Sequence, residues 1–227
     1  MNRTLILAPH HDDAEFGLGG YIARMVEDFR NGVGQRPGVA VFCTGDYQNT
    51  QGVPVRQKER VEETIAAMEV LGGVEIQFMN AFTENKFDLA GRVDIVGMID
   101  TALEGPVEYT DVMCCLPSYN QDHRALWEAF ITAFRPGRHA HIKRIWGYPY
   151  DGNCHGPDGL PTGLTTGKCY IKLNQGHLNK KIWALRKHTS QNFSEDVYSG
   201  VEGRMKALGS ECGAQYAEVA YMIREIY

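Results

Sequence analysis

Short apolar runs alternate with longer amphipathic stretches along most of the chain. That alternation predicts strands and helices in turn, and hence an α/β domain around a largely parallel sheet. TLILAPH opens the series as a strand, and GLGGYIARMVEDFR reads as the helix after it. VAVFCTG predicts the next strand and VPVRQKERVEETIAAMEVLGG the next helix, with Val61, Ile65, Met68 and Leu71 at helical spacing before a glycine stop. VEIQFMN and DVMCCLP supply two more strands, and LAGRVDIVGMIDTALEG and DHRALWEAFITAF two more helices. Beyond Pro136 the pattern loosens: IKRIWGYPY and KCYIKLN predict strands, HLNKKIWALRKH a helix and YAEVAYMIREI a closing strand. The expectation is one Rossmann-like, three-layer domain over residues 1–227, with helices on both faces of a mostly parallel sheet. In such sheets ligands bind outside the carboxyl ends of the strands. The polar clusters at His10 to Glu15, Thr44 to Tyr47, Asn80 onward and Ser118 to His123 each follow a predicted strand, so they should share one edge.

Composition narrows the function without naming it. With 227 residues the chain can bury a full core. A net charge of −5 and the lack of any basic run argue against nucleic acid and favour a small neutral or modestly polar substrate. No charged leader or run of about 18 apolar residues stands out, so a cytoplasmic protein without a membrane span is expected. A homo-oligomer stays open. The cysteines at 43, 114, 115, 154, 169 and 212 form no C-x-x-C pair and read as reduced thiols, mainly of the core. Cys154 beside His155 could bind metal or act as nucleophile and base, although DGNCHGPDGLPTG reads first as a surface loop.

The candidate chemistry lies in PHHDDAEFGLGG and NQDHRAL. Imidazole and carboxylate together suit zinc, and a catalytic zinc keeps three protein ligands and one open position. His10, His11, Asp12, Asp13 and Glu15 after one strand, with Asp122 and His123 after another, can supply such a set and leave one carboxylate free as a base. Helix capping by Asp12 or Asp13 is the competing explanation. It accounts poorly for His10 beside the pair and for a second His-Asp cluster. Gly17, Gly19 and Gly20 come too late after the strand for a dinucleotide fingerprint, and read as room for close helix packing.

PHHDDAEFGLGG resembles the His-Pro-Asp-Asp-x-Glu motif of the LmbE-like, or PIG-L, family of zinc-dependent N-deacetylases. NQDHRAL resembles that family's second motif, RVEETIAAMEVLGG its Arg-x-x-Glu helix, KKIWALRKHTSQ its Lys-rich helix ending in Ser-Gln, and GAQYAEVAYMI its closing strand. The resemblance implies one catalytic zinc ion held by His10, Asp13 and His123, with Asp12 as general base and Asp122 as an acid orienting a neighbouring group. His11 stands where the family has proline, a non-ligand expected at the pocket wall, while Glu15 would hold the loop. Asn120 stands where many relatives have the histidine that stabilises the oxyanion. Either its amide donates in that place, or His188 or Arg60 takes over. His188 also reads as a solvated helix end. Arg60 matches the family's substrate-contacting arginine, yet with Arg56, Glu59 and Glu63 it equally reads as an exposed ion-pair face.

The resemblance thus implies removal of an N-acetyl group from an amino sugar or a glycoconjugate containing one. Tyr47, Trp146, Tyr148 and Tyr150 are candidates to stack on the sugar, or core aromatics. Two other classes remain beside it: a nucleotide-sugar transferase holding magnesium or manganese, and a non-catalytic relative that keeps the metal. Specificity is expected in DYQNTQGVP, AFTENKFDLAG and DGNCHGPDGLPTGLTTG.

Overall fold

In the computed structural model, which describes residues 3–49, 51–105, 108–150 and 167–226, the elements follow the predicted alternation. They are β1 (Thr4–Ala8), α1 (Asp13–Arg30), β2 (Gly38–Cys43), β3 (Tyr47–Gln48), β4 (Pro54–Val55), α2 (Gln57–Val70), β5 (Glu75–Phe82) and α3 (Arg92–Leu103). Then come β6 (Asp111–Cys115), α4 (Gln121–Ala133), β7 (Arg144–Tyr148), β8 (Gly167–Leu173), α5 (Gln175–Leu185), α6 (Glu195–Cys212) and β9 (Tyr216–Glu225). Among the described residues, seven strands form one sheet in the order β5-β2-β1-β6-β7-β9-β8. The first five are parallel, and β9 is antiparallel to both its neighbours. Cys154 and His155 lie outside the described residues.

The period of two along each strand sorts its side chains to two cores. Leu5, Leu7, Phe42 and Val112 join Ile99 of α3 and Phe130 of α4 on one face. Ile6, Val39, Val41 and Met113 join Ile22 of α1, Met68 of α2 and Ala184 of α5 on the other. The chain builds outward from β1 to β2 and β5, and α3 then carries it back to β6 on the other side of β1. The carboxyl ends of β1 and β6 therefore flank the point where strand order reverses, the usual place for a binding crevice.

One hairpin and one helix were not predicted. The β3–β4 hairpin pairs only two residues on each side. Helix α6 carries Gly200, Gly203 and Gly209, which dilute its pattern, yet Tyr198, Val201, Met205 and Leu208 recur at helical spacing and are buried. α1 also starts before the predicted Gly17, at Asp13, because it continues through a bend at Leu18 (φ −138, ψ 15).

A buried ion pair bridges that bend. Lys181 Nζ donates to the Phe16 carbonyl at 2.5 Å and to Glu218 Oε1 at 2.8 Å. Glu218 in turn accepts from the Gly20 and Tyr21 N–H groups at 2.9 and 2.7 Å. Main-chain groups on both sides of the bend thus find partners on α5 and β9, as buried polar groups must. The glycines make the approach possible, as their spacing implied. A Cβ at Gly19 would lie 2.9 Å from Lys181 Cγ, and one at Gly20 would lie 2.6 Å from Leu173 Cδ1.

Lys181→Met should cost about 3–5 kcal/mol, because it leaves Glu218 charged, buried and without its cation. Lys181→Met with Glu218→Gln should cost less than Lys181→Met alone, as measured by urea unfolding.

Candidate active site

His10 and Asp13 leave the end of β1 in one tight turn, closed by the His10 N–H donating to Asp13 Oδ2 at 2.8 Å. His123, in the first turn of α4, arrives from the end of β6. His10 Nδ1 lies 3.1 Å from Asp13 Oδ2, and His123 Nε2 lies 3.3 Å from both. Metal–ligand distances of about 2.0–2.1 Å give a tetrahedral edge of about 3.3 Å, so this triangle has the size of one face of a zinc tetrahedron. All three residues are buried.

The surroundings also fit a cation. Burial favours a neutral His10, but the Glu84, Asp13 and Asp122 carboxylates outweigh it and hold the imidazole well above its usual range. Burial likewise opposes ionisation of Asp13, yet His123 and His10 keep its carboxyl far below the ordinary value. The second ring nitrogen of each histidine is engaged, which fixes ring orientation as in other metal sites. His10 Nε2 faces Asp122 Oδ2 at 3.0 Å, and His123 Nδ1 faces Ser118 Oγ at 3.1 Å. Asp122 accepts further N–H groups from Asn85 and Phe87 at 2.6 and 3.1 Å. Burial would raise its pKa, and these bonds, that from His10 foremost, lower it.

Asp12 occupies the N-cap position of α1 but makes no side-chain capping bond. Its Oδ1 instead lies 3.4 Å from Arg60 Nη2. It opens onto a cleft of about 560 Å³ that His10, Asp13, His123, Asn120, Tyr150 and Phe193 also line. Asn120 caps α4, its Oδ1 accepting from the Asp122 N–H at 2.8 Å, so its amide NH₂ is the part left to donate.

Several expectations need correction. Arg60 is 1% exposed, no part of a solvated ion-pair face, and it does not line the cleft. His188 is buried behind Arg60, neither a solvated helix end nor a wall of the cleft. His11 also misses the cleft: its Nδ1 lies 2.7 Å from Thr64 Oγ1 of α2, and its ring 5.9 Å from that of Phe78 on β5. Tyr148 is a core residue whose hydroxyl donates to the Leu7 carbonyl at 2.9 Å, and Trp146 packs on the same core. Tyr47 stands in a neighbouring cleft, so Tyr150 alone of the four aromatics lines this one. Glu84 lines both clefts; it lies in the AFTENKFDLAG loop expected to carry specificity, but was not itself singled out. Burial raises its pKa.

Known proteins share the fold. A family model described as PIG-L, GlcNAc-PI de-N-acetylase, matches residues 5–134. No curated protein matches the chain. Among solved structures, the zinc-inhibited form of teicoplanin deacetylase Orf2 superposes with a TM-score of 0.77 at 18% identity, over 99% of each chain. N,N'-diacetylchitobiose deacetylase from Pyrococcus horikoshii gives 0.68 at 16% identity, over 98% of this chain and 84% of its own. GalB, the 4-carboxy-2-hydroxymuconate hydratase from Pseudomonas putida KT2440, gives 0.64 at 18% identity, over 100% and 98%. No helix among the described residues is long and apolar enough to cross a membrane.

His11 supplies a pH test of the buried geometry. The Thr64 hydroxyl donates to the Arg60 carbonyl at 2.8 Å, so it must accept from His11 Nδ1, 2.7 Å away. Burial, then the Arg60 charge, drives the His11 pKa from 6.5 down to about 2. Below pH 6.5 the unfolded chain binds a proton here that the folded chain refuses, so stability falls as pH falls. Between about pH 7.5 and 5 the parent should lose about 2 kcal/mol more than His11→Asn, measured by urea unfolding at both values.

Proposed function

The chain belongs to the PIG-L family, and we propose that it is a zinc-dependent hydrolase removing an N-acyl group, acetyl in the first instance, from an amino sugar or amino-sugar glycoconjugate. The observation that carries this reading is the His10–Asp13–His123 triangle with a second carboxylate, Asp12, outside it in the same cleft. Those three residues would hold the ion, which when bound acidifies a water and polarises the acyl carbonyl. Asp12 is the base that takes the proton from the attacking water and returns it to the departing amine. Asp122 and Ser118 keep the two imidazoles oriented. Asn120 donates from its NH₂ to the negative charge on the acyl oxygen, a neutral donor where relatives use histidine. Tyr150, edge-on to His123 at 5.5 Å between ring centres, offers a wall for the sugar.

A transferase using magnesium or manganese needs hard oxygen ligands, and two of the three here are imidazoles. A non-catalytic relative has no use for a base at Asp12. Because a hydratase shares the fold, the deciding assay is release of free amine from a panel of N-acetyl sugars by the zinc-loaded protein.

In that assay Asp12→Asn should keep its zinc and lose at least about 100-fold in rate, whereas His123→Ala should lose the metal. Zinc lost by Asp12→Asn and kept by Asp13→Asn would reverse the two assignments. Asn120→Asp separates the two jobs of that residue: the carboxylate still caps α4 but cannot donate. It should fold like the parent and lose about 100-fold in kcat.

A further inference from the structure

A buried network that the reaction above does not use lies behind Asp12. Arg60 presents Nη2 to Asp12, while its Nη1 lies 3.3 Å from His188 Nδ1 and 3.4 Å from Glu63 Oε2. Glu63 is already held on α2 by Thr189 Oγ1, the Ser190 N–H and Ser190 Oγ at 2.8, 2.6 and 2.7 Å. On the far side His188 Nε2 lies 3.1 Å from Glu15 Oε1. Arg60, His188 and Glu15 are each no more than 1% exposed, and none of them lines the cleft. A substrate in the cleft meets Asp12 with this row of side chains behind it.

The donor inventory settles how the row is wired. A guanidinium only donates, so His188 Nδ1 is the acceptor and carries no proton. The ring proton is then on Nε2, where Glu15 Oε1 accepts it. A second proton on His188 would set an N–H against Nη1. The imidazole is therefore neutral and of one tautomer, with Glu15 selecting which nitrogen is left to accept.

We propose that His188 is a positioning residue for the base: by accepting from Nη1 it holds the Arg60 guanidinium in the one orientation that keeps Nη2 on Asp12. The proposal rests on the reading of Asp12 as the base. It makes Arg60 a clamp on that base, where the family resemblance implied a contact to substrate. Without the acceptor at His188, Nη1 is left to Glu63, whose carboxylate draws the guanidinium toward α2 and Nη2 away from Asp12. Misplacing a reacting group by about 1 Å costs on the order of 100-fold.

Two variants and one spectrum test this. His188→Leu removes the acceptor, whereas His188→Asn keeps an amide oxygen near the place of Nδ1. Both should fold, less stably than the parent because Glu15 loses its donor, and both should bind zinc as the parent does. His188→Leu should lose about 10- to 100-fold in kcat with KM within about twofold, and His188→Asn should recover most of that loss. Nitrogen-15 NMR of the zinc-loaded parent should show His188 neutral and protonated on Nε2. A folded, zinc-loaded His188→Leu with parental kcat overturns the proposal, as does a rise in KM alone or a His188→Asn as impaired as His188→Leu. So does a proton on Nδ1. If His188→Leu does not fold, His188→Asn and the spectrum decide. A parent that releases no amine from any sugar removes the deacetylase reading, and the tautomer then judges the wiring on its own.

Discussion

Where β1 and β6 lie side by side, the helices that follow them leave toward opposite faces of the sheet, α1 toward one core and α4 toward the other. The ends of these two strands are consequently left uncovered by either helix, and that gap is the constraint on which the site depends. Residues 113 positions apart in the chain meet across it, His10 and His123 with their ring nitrogens 3.3 Å apart. The loop after β5 adds Glu84, and its Asn85 and Phe87 N–H groups secure Asp122. Each group is carried by the end of a strand or the first turn of a helix, where neighbouring backbone is itself hydrogen-bonded. That is why so many side chains can be held in place with so little of the chain.

The same convergence packs negative charge into a small volume. Asp12, Asp13, Glu15, Glu63 and Asp122 are all buried, and buried carboxylates persist only when donors or cations compensate them. Asp122 is satisfied by main-chain N–H groups and His10, Glu63 by the turn at Thr189 and Ser190, and Asp12 by Arg60. The His10–Asp13–His123 triangle is where a cation would complete the balance. His10, Cys43 and Asp122 also lie close enough to suggest a second metal position. Both Asp122 oxygens are already used there, and burial, then the Asp122 charge, pushes the Cys43 thiol far above its usual range. That group is better understood as the support behind His10 than as a competing site.

The strands and most helices were legible because hydrophobic period and chain order report burial directly. The site was legible only in part, because helix α2 breaks the rule that apolar residues mark the buried face. Ile65 was expected inside and is 41% exposed, while Arg60 and Glu63 were open to a solvated reading and are buried. Their partners come from residues 12 and 188–190, and no local pattern announces a pairing over such a distance. His188 was obscured for the same reason. A His/Asp cluster able to hold a metal could be anticipated because its members follow two strand ends, whereas the choice of His10, Asp13 and His123 as ligands and of Asp12 as base came from family resemblance. Asn120 showed its departure from the family in sequence, but its capping bond to Asp122 needed coordinates.

Teicoplanin deacetylase and GalB hydratase share this fold, so the strand framework by itself does not choose the reaction. A metal ligand set and a nearby carboxylate activate water equally well for either chemistry. What distinguishes amide cleavage is the second half, in which a poor leaving amine must be protonated before it can depart. In many relatives a histidine stands where Asn120 does, and Asn120 has no proton to give. Outside the triangle, the carboxylates lining the cleft among the described residues are Asp12 and Glu84. In the proposed reaction Asp12 carries the proton both from the water and to the amine, and it must stay in register with the reacting atoms through two steps. A carboxylate with that double duty gains more from a rigid support than one that acts once. The Arg60–His188–Glu15 row behind Asp12 supplies such a support, without putting a second charged group into the cleft beside the substrate.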